Sequence, residues 1–301
     1  ISFSQLAALS DAYYGGGTGN QNYSGVINYG FKDNLMLSIF YTHSDDDLHR
    51  KINNLPSQPA NRWISYGTSM RWQQFNTEKV SFSIDGSLEM WDVKSGGCNN
   101  YGCVTKSSNI FNSTENTVSN SNFVGSIFLP LSWNVYKSLE FSIVPSFIFL
   151  PDSQGNEDGS GEFYGNNYGL GLGASYEISK RLKSYFSSYL PFGNGNNSFN
   201  QDLLFERNPI YTGGLNYILD SQIAFDASIS NSFGLTPSTS TLTLPSSNET
   251  VYTGKVIYRP KNNFYDYEFN QLSDYDYNIG GISIGTTDMV RPGTKMVKIG
   301  L

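Results

Sequence analysis

The chain has 301 residues, of which only 15% are charged and 15% are aromatic, and its formal net charge is −7. An acidic pI near 4.8 excludes the basic footprint that nucleic-acid binding requires. With a mean hydropathy of −0.35, no uninterrupted apolar run approaches the roughly 18 residues of a transmembrane helix, but a membrane barrel hides its apolar residues in alternation and stays open as a class.

The chain begins at Ile1 without a leader and is expected to be a mature or trimmed form. Residues 1–9 are apolar and read as a strand or a short helix, and a Gly-rich loop follows over 11–21. Residues 23–31 alternate, with Tyr23, Gly25, Ile27, Tyr29 and Phe31 in one phase; after a tight turn at 32–34, Leu35, Leu37, Ile39 and Tyr41 form the next apolar phase. A long polar loop spans 45–61. Residues 63–74 then set Ile64, Tyr66, Thr68, Met70 and Trp72 against Ser65, Gly67, Ser69, Arg71 and Gln73.

Residues 80–92 give the clearest pattern, with Val80, Phe82, Ile84, Gly86, Leu88 and Met90 on one face and Ser81, Ser83, Asp85, Ser87 and Glu89 on the other. Period-2 alternation predicts a strand with one apolar and one polar face. Its length suits a tilted strand crossing a bilayer better than a short globular strand. A second long loop, 93–122, holds the only cysteines, Cys98 and Cys103. Two thiols at this spacing without nearby His make a poor metal site, so a small loop disulfide in an oxidising compartment is expected, against two unpaired thiols.

Residues 123–135 and 139–150 form the next hairpin, where Pro130 and Pro145 conflict with a ladder and are expected to mark bulges. A third long loop, 151–167, is acidic. Residues 168–179 alternate Tyr168, Leu170, Leu172, Ala174, Tyr176 and Ile178 against Gly169, Gly171, Gly173, Ser175, Glu177 and Ser179. Strands are expected at 182–192, 210–219, 223–233 and 250–259, separated by long loops at 193–208 and 234–249 and a tight turn at 220–222. Residues 261–301 break the rhythm and are set apart from a barrel over 1–260, as a tail, a closing strand or a plug.

Tight turns alternate strictly with long polar loops, which puts short connections at one end and long ones at the other. Eleven strands run from Tyr23 to Arg259, and a twelfth, from residues 1–9, makes the count even. The expected fold is therefore all-β, an antiparallel up-and-down transmembrane barrel of about twelve strands. Strands such as YGLGLGASYEIS and VSFSIDGSLEMW, with this loop alternation, resemble bacterial outer-membrane β-barrels of the porin and transporter type, and among them cyanobacterial outer-membrane proteins. The resemblance covers roughly residues 23–259. The ending KMVKIGL departs from the terminal aromatic usual in that class.

The resemblance implies an outer-membrane location, contact with membrane lipid and passage of small solutes or ions, without a cofactor. A non-catalytic surface protein that binds a partner or saccharide through its long loops is the alternative, followed by a soluble all-β protein; homo-oligomers are compatible with each. The inward phase predicts a lumen lined by Arg71, Asp85, Glu89, Glu140, Glu177, Lys183, Asp226 and Lys255, with Arg259 in the same phase. Opposite signs nearly balance there, so the wall is not expected to act as a strong single-sign filter, and pairing across a narrow lumen stays open as a further option. Leu170, Leu172, Phe147 and Ile84 are expected to face lipid.

Other motifs read as structural. His43 and His49 beside Asp45–Asp47 are neighbours in sequence, which does not assemble a catalytic site. The loop at 152–162 resembles half of a calcium loop, but counted from Gln154 its first position is Gln and its twelfth is Gly165, where charge is needed. Gly169, Gly171 and Gly173 lie at strand period with no helix after them, so they are expected to make room inside the barrel rather than to hold phosphate. Tyr41, Trp63, Trp72, Trp91, Trp133, Tyr136 and Tyr176 are expected to form aromatic girdles.

Overall fold

The computed structural model describes residues 2–6, 21–44, 62–94, 97–99, 102–104, 119–136, 138–152, 164–200, 204–220, 222–232, 234, 236–243, 250–258 and 295–300. In chain order the strands are β1 (Ser2–Leu6), β2 (Gln21–Lys32), β3 (Leu35–Ser44), β4 (Arg62–Asn76), β5 (Val80–Lys94), β6 (Gly97–Asn99), β7 (Gly102–Val104), β8 (Ser119–Phe128) and β9 (Leu131–Tyr136). They continue with β10 (Leu139–Phe149), β11 (Asn167–Ser179), β12 (Leu182–Phe192), β13 (Ser198–Phe199), β14 (Phe205–Glu206), β15 (Ile210–Ile218), β16 (Ile223–Ser230), β17 (Val251–Tyr258) and β18 (Lys295–Gly300). A single 3₁₀ turn, Thr239–Thr241, is the one helical element among the described residues.

Fourteen of these strands form one sheet in which sequence neighbours pair antiparallel, and pairing of β17 with β18 and of β18 with β2 closes it into a barrel. β8 and β9 are collinear, and so are β18 and β1, which leaves twelve positions around the wall. The closing position is shared. β18 covers the half next to the short turns, pairing with Ser24–Tyr29 and Lys255–Tyr258; β1 covers the other half, pairing with Gln21–Ser24 and Val251–Lys255. The twelfth strand expected from residues 1–9 is thus half a strand, completed by Lys295–Gly300.

The faces are the reverse of those of a soluble sheet. Ile39 (54% exposed), Phe186 (54%) and Leu172 (40%) point outwards, whereas Ser65 and Glu89 are fully buried on the inward phase. Phe147 is also exposed, and Leu170 and Ile84 are half-buried in the same outward phase. Only an apolar solvent makes such an exterior favourable, and only a closed barrel satisfies the backbone there, so this is a transmembrane β-barrel. No described helix is long and apolar enough to cross a membrane, and the strands cross instead.

Local chemistry explains the short turns. Asp220 Oδ1 accepts from the amides of Gln222 and Ile223 at 2.7 and 2.8 Å, an Asx turn. Thr77 Oγ1 donates to Val80 O and accepts from Val80 N. One-residue register shifts sit beside four of these turns, at Gly30/Lys32, Gln73/Phe75, Leu139/Glu140 and Glu177/Ser179. Bulges of this kind add twist where a barrel rim needs it.

The prolines do not mark bulges, contrary to expectation. The register of β5 runs unbroken from Asp85↔Phe128 to Phe82↔Leu131. Ser83 N donates to Pro130 O at 3.0 Å and Leu129 N to Pro145 O at 2.9 Å. Each proline keeps its acceptor role, so each removes one ladder donor without shifting the strand.

Candidate functional site

The inner face of the barrel is divided by depth. Near the short turns it carries ions. Arg71 Nε lies 2.9 Å from both Asp85 oxygens, with Nη2 on Oδ2, across directly paired positions of β4 and β5. Lys255 Nζ lies 3.2 Å from Asp226 Oδ1, again across paired positions, and both side chains are buried. Tyr185 donates to the same Asp226 oxygen at 3.0 Å. Lys183 Nζ approaches Glu140 at 3.9 Å, and Glu177 is its register partner across β11–β12. These six partners of the three ion pairs meet as cations and anions along the wall itself, while Arg259 lies outside the described residues.

Between the ions and the mouth the inner phase is rich in hydroxyl and amide groups. Ser38 Oγ donates to Asn28 Oδ1 at 2.6 Å, Ser87 and Ser126 share a bond, and so do Thr212 and Ser230. Inward glycines give large inward rings their space. A Cβ on Gly169 would run into the Tyr189 ring, and one on Gly214 into the Tyr185 hydroxyl. Gly169 and Gly173 therefore admit a neighbour's side chain (Tyr189 and Ser142) rather than bind phosphate.

At the long-loop end the described residues of two connections pack against the inner wall. One is the stretch between β12 and β15, with the small β13–β14 hairpin; the other follows β16 and includes residues 236–243. Phe199 and Leu242 from these connections, and Tyr164 from the approach to β11, are fully buried against Trp63, Trp91, Ile148 and Ile210 of the wall. Tyr164 meets Phe205 edge-on at 5.5 Å, and its burial raises the phenol pKa above its ordinary value. The two connections are tied together: Asn197 Nδ2 donates to Thr241 O, Thr243 N to Asn197 O, and Thr243 Oγ1 to Ser198 Oγ at 2.7 Å.

Glu89 fastens the second of these connections to the wall. Its Oε1 accepts from Ser238 N at 2.6 Å; its Oε2 accepts from Thr236 Oγ1 at 2.6 Å, Ser65 Oγ at 3.1 Å and Trp91 Nε1 at 3.2 Å. Two donors come from the wall and two from the folded-in segment. The carboxylate is fully buried, and among the described residues no cation pairs with it.

Trp63 and Trp91 are not girdle residues, contrary to expectation. They share the inward phase of Ser65 and Glu89 and meet edge-on with centroids 4.9 Å apart. Tyr41, Trp72, Trp133, Tyr136 and Tyr176 do lie exposed on the outer face. His43 is the second-last residue of β3; His49, Asp45–Asp47 and the acidic loop from 153 to 163 lie outside the described residues, and no cluster of metal-ligating side chains occurs among those described. The β6–β7 hairpin places Cys98 directly opposite Cys103.

No family model matches the chain, and no curated protein matches its sequence. Among solved structures it is similar to the NanC porin, at 9% identity over 84% of this chain and 95% of that one, with a TM-score of 0.45. It is also similar to the toluene transporter TbuX of Ralstonia pickettii, at 10% identity over 87% of this chain and 81% of that one (TM-score 0.39). A third is the toluene transporter TodX of Pseudomonas putida, at 7% identity over 79% and 67% of the two chains (TM-score 0.38). The barrel itself is established by the chain's own closed sheet and apolar exterior.

Proposed function

We propose that the chain is a bacterial outer-membrane channel that passes small solutes or ions, without chemistry of its own. The observation that supports this most is the polar inner face: ion pairs and hydroxyls line a barrel that needed only an apolar exterior to sit in lipid. Because Arg71, Lys183 and Lys255 are matched by Asp85, Glu140 and Asp226, the wall offers no single-sign ring, and selectivity is weak. In sequence the long polar loops carry Asp45–Asp47 and Glu157–Asp158, and an acidic loop composition favours cations weakly, through a field screened within about 8–10 Å at physiological salt.

The connections packed against the inner wall favour a second reading, a surface protein that binds a partner through its long loops. Planar-bilayer recording of the purified chain separates the two. Discrete steps with weak cation preference at low salt, fading at high salt, support the channel. Firm anion selectivity, or no current at any voltage, supports the surface binder.

A further inference from the structure

We propose that residues 236–243 form a gate and that Glu89 is its latch. This rests on the channel reading and deepens it by naming how the same lumen is opened. The closed arrangement is unusual in what holds it. A carboxylate taken out of water needs compensation by a cation or by donors, and Glu89 is compensated by neutral donors alone, half of which leave if the segment leaves.

The segment is suited to leaving. It is made of Thr, Pro and Ser with the single apolar residue Leu242, so what it gives up on returning to water is one buried leucine and its bonds to Asn197 and Ser198. Its internal bonds, Ser240 Oγ to Pro237 O and Thr241 Oγ1 to Ser238 O at 2.7 Å each, travel with it as a preformed 3₁₀ turn. When it lifts, Glu89 becomes a bare carboxylate on the inner wall beside Ser65. A cation or a cationic solute in the pathway then takes the place of Thr236 and Ser238. The same atom set thus closes the lumen in one state and favours cations in the other.

Three proteins test this in planar bilayers: wild type, Glu89→Ala with the loop intact, and a chain whose residues 236–243 are replaced by a short Gly-Ser linker. Heat-shifted electrophoretic mobility verifies that each barrel is folded. Loss of two hydrogen bonds to a charged group is expected to raise open probability in Glu89→Ala by roughly tenfold or more. The linker chain is expected to stay open and to prefer cations more strongly than wild type, an excess that Glu89→Gln in that chain abolishes. If the linker chain conducts but Glu89→Ala gates as wild type does, the latch is overturned and the channel stands. If the linker chain conducts no better than wild type, the gate is overturned. If a folded linker chain carries no current, the channel reading fails and the gate with it.

Discussion

Replacing Leu172 by Arg measures where the bilayer lies. Leu172 is the sixth of the thirteen residues of β11 and is exposed on the outer face. Its register partners are Ile143 on β10 and Ser188 on β12, so no acidic group on either side can neutralise an arginine there. A strand rising about 3.3 Å per residue at a tilt near 40° gains roughly 2.5 Å of depth per residue. Ile178, in the same phase, then lies about 15 Å from Leu172, beyond the half-thickness of an apolar band about 25 Å tall. Arginine is expected to cost about 2–4 kcal/mol at Leu172 and about 0–1 kcal/mol at Ile178, with Tyr168 between. Urea titration in phospholipid vesicles, read by tryptophan fluorescence and referenced to alanine at each site, gives the three values. A flat profile, or a maximum at Ile178, refutes the placement of the belt. A wild-type chain that is soluble and monomeric without detergent refutes the membrane assignment altogether.

Three further outcomes follow from the interior. Asp226→Asn strands Lys255 in a buried position and is expected to cost about 3–5 kcal/mol, most of it recovered by adding Lys255→Met, in the same titration. Gly169→Ala forces the Tyr189 ring aside and is expected to cost about 1–3 kcal/mol, a penalty that Tyr189→Ser in the same chain relieves. Cys98 and Cys103, opposed in the β6–β7 hairpin on the long-loop side, are expected to be disulfide-bonded, which mass spectrometry of unreduced protein reads directly. Reducing that bond is expected to change global stability little, because the loop it closes is short.

The wall was legible because one physical constraint acts on every second residue. Lipid outside and polar groups inside leave the same alternation in 80–92 and 168–179, and a strand cannot turn half its side chains without slipping register. That constraint also outranks residue type. Trp63 and Trp91 belong to a type enriched at membrane interfaces, but their phase is that of Ser65 and Glu89, and the phase decided where they point. Pro130 and Pro145 misled for a related reason: proline's lost donor is a local defect, and neighbouring pairs on both sides held the register through it.

The interior was legible only where partners sit at register-matched positions. Arg71 with Asp85 and Lys255 with Asp226 face each other because paired strands bring them there; balanced charge in one phase suggested pairing across the lumen, whereas the register puts the partners on neighbouring strands. Glu89 belongs to the same phase, but its partners Thr236 and Ser238 stand 147 and 149 residues away on a segment with no periodicity. A carboxylate in an inward phase reads the same whether it meets water, a cation or a loop. The Thr/Ser-rich segment likewise reads as solvated, because hydroxyls that bond a buried carboxylate are the same groups that would bond water. What distinguishes the two is three-dimensional: Phe199, Leu242 and Tyr164 give the inward-folded connections an apolar core with Trp63 and Trp91. The apolar contacts that hold these connections inward thus come from several separate strands and loops, and Glu89 adds four hydrogen bonds at one point on the wall.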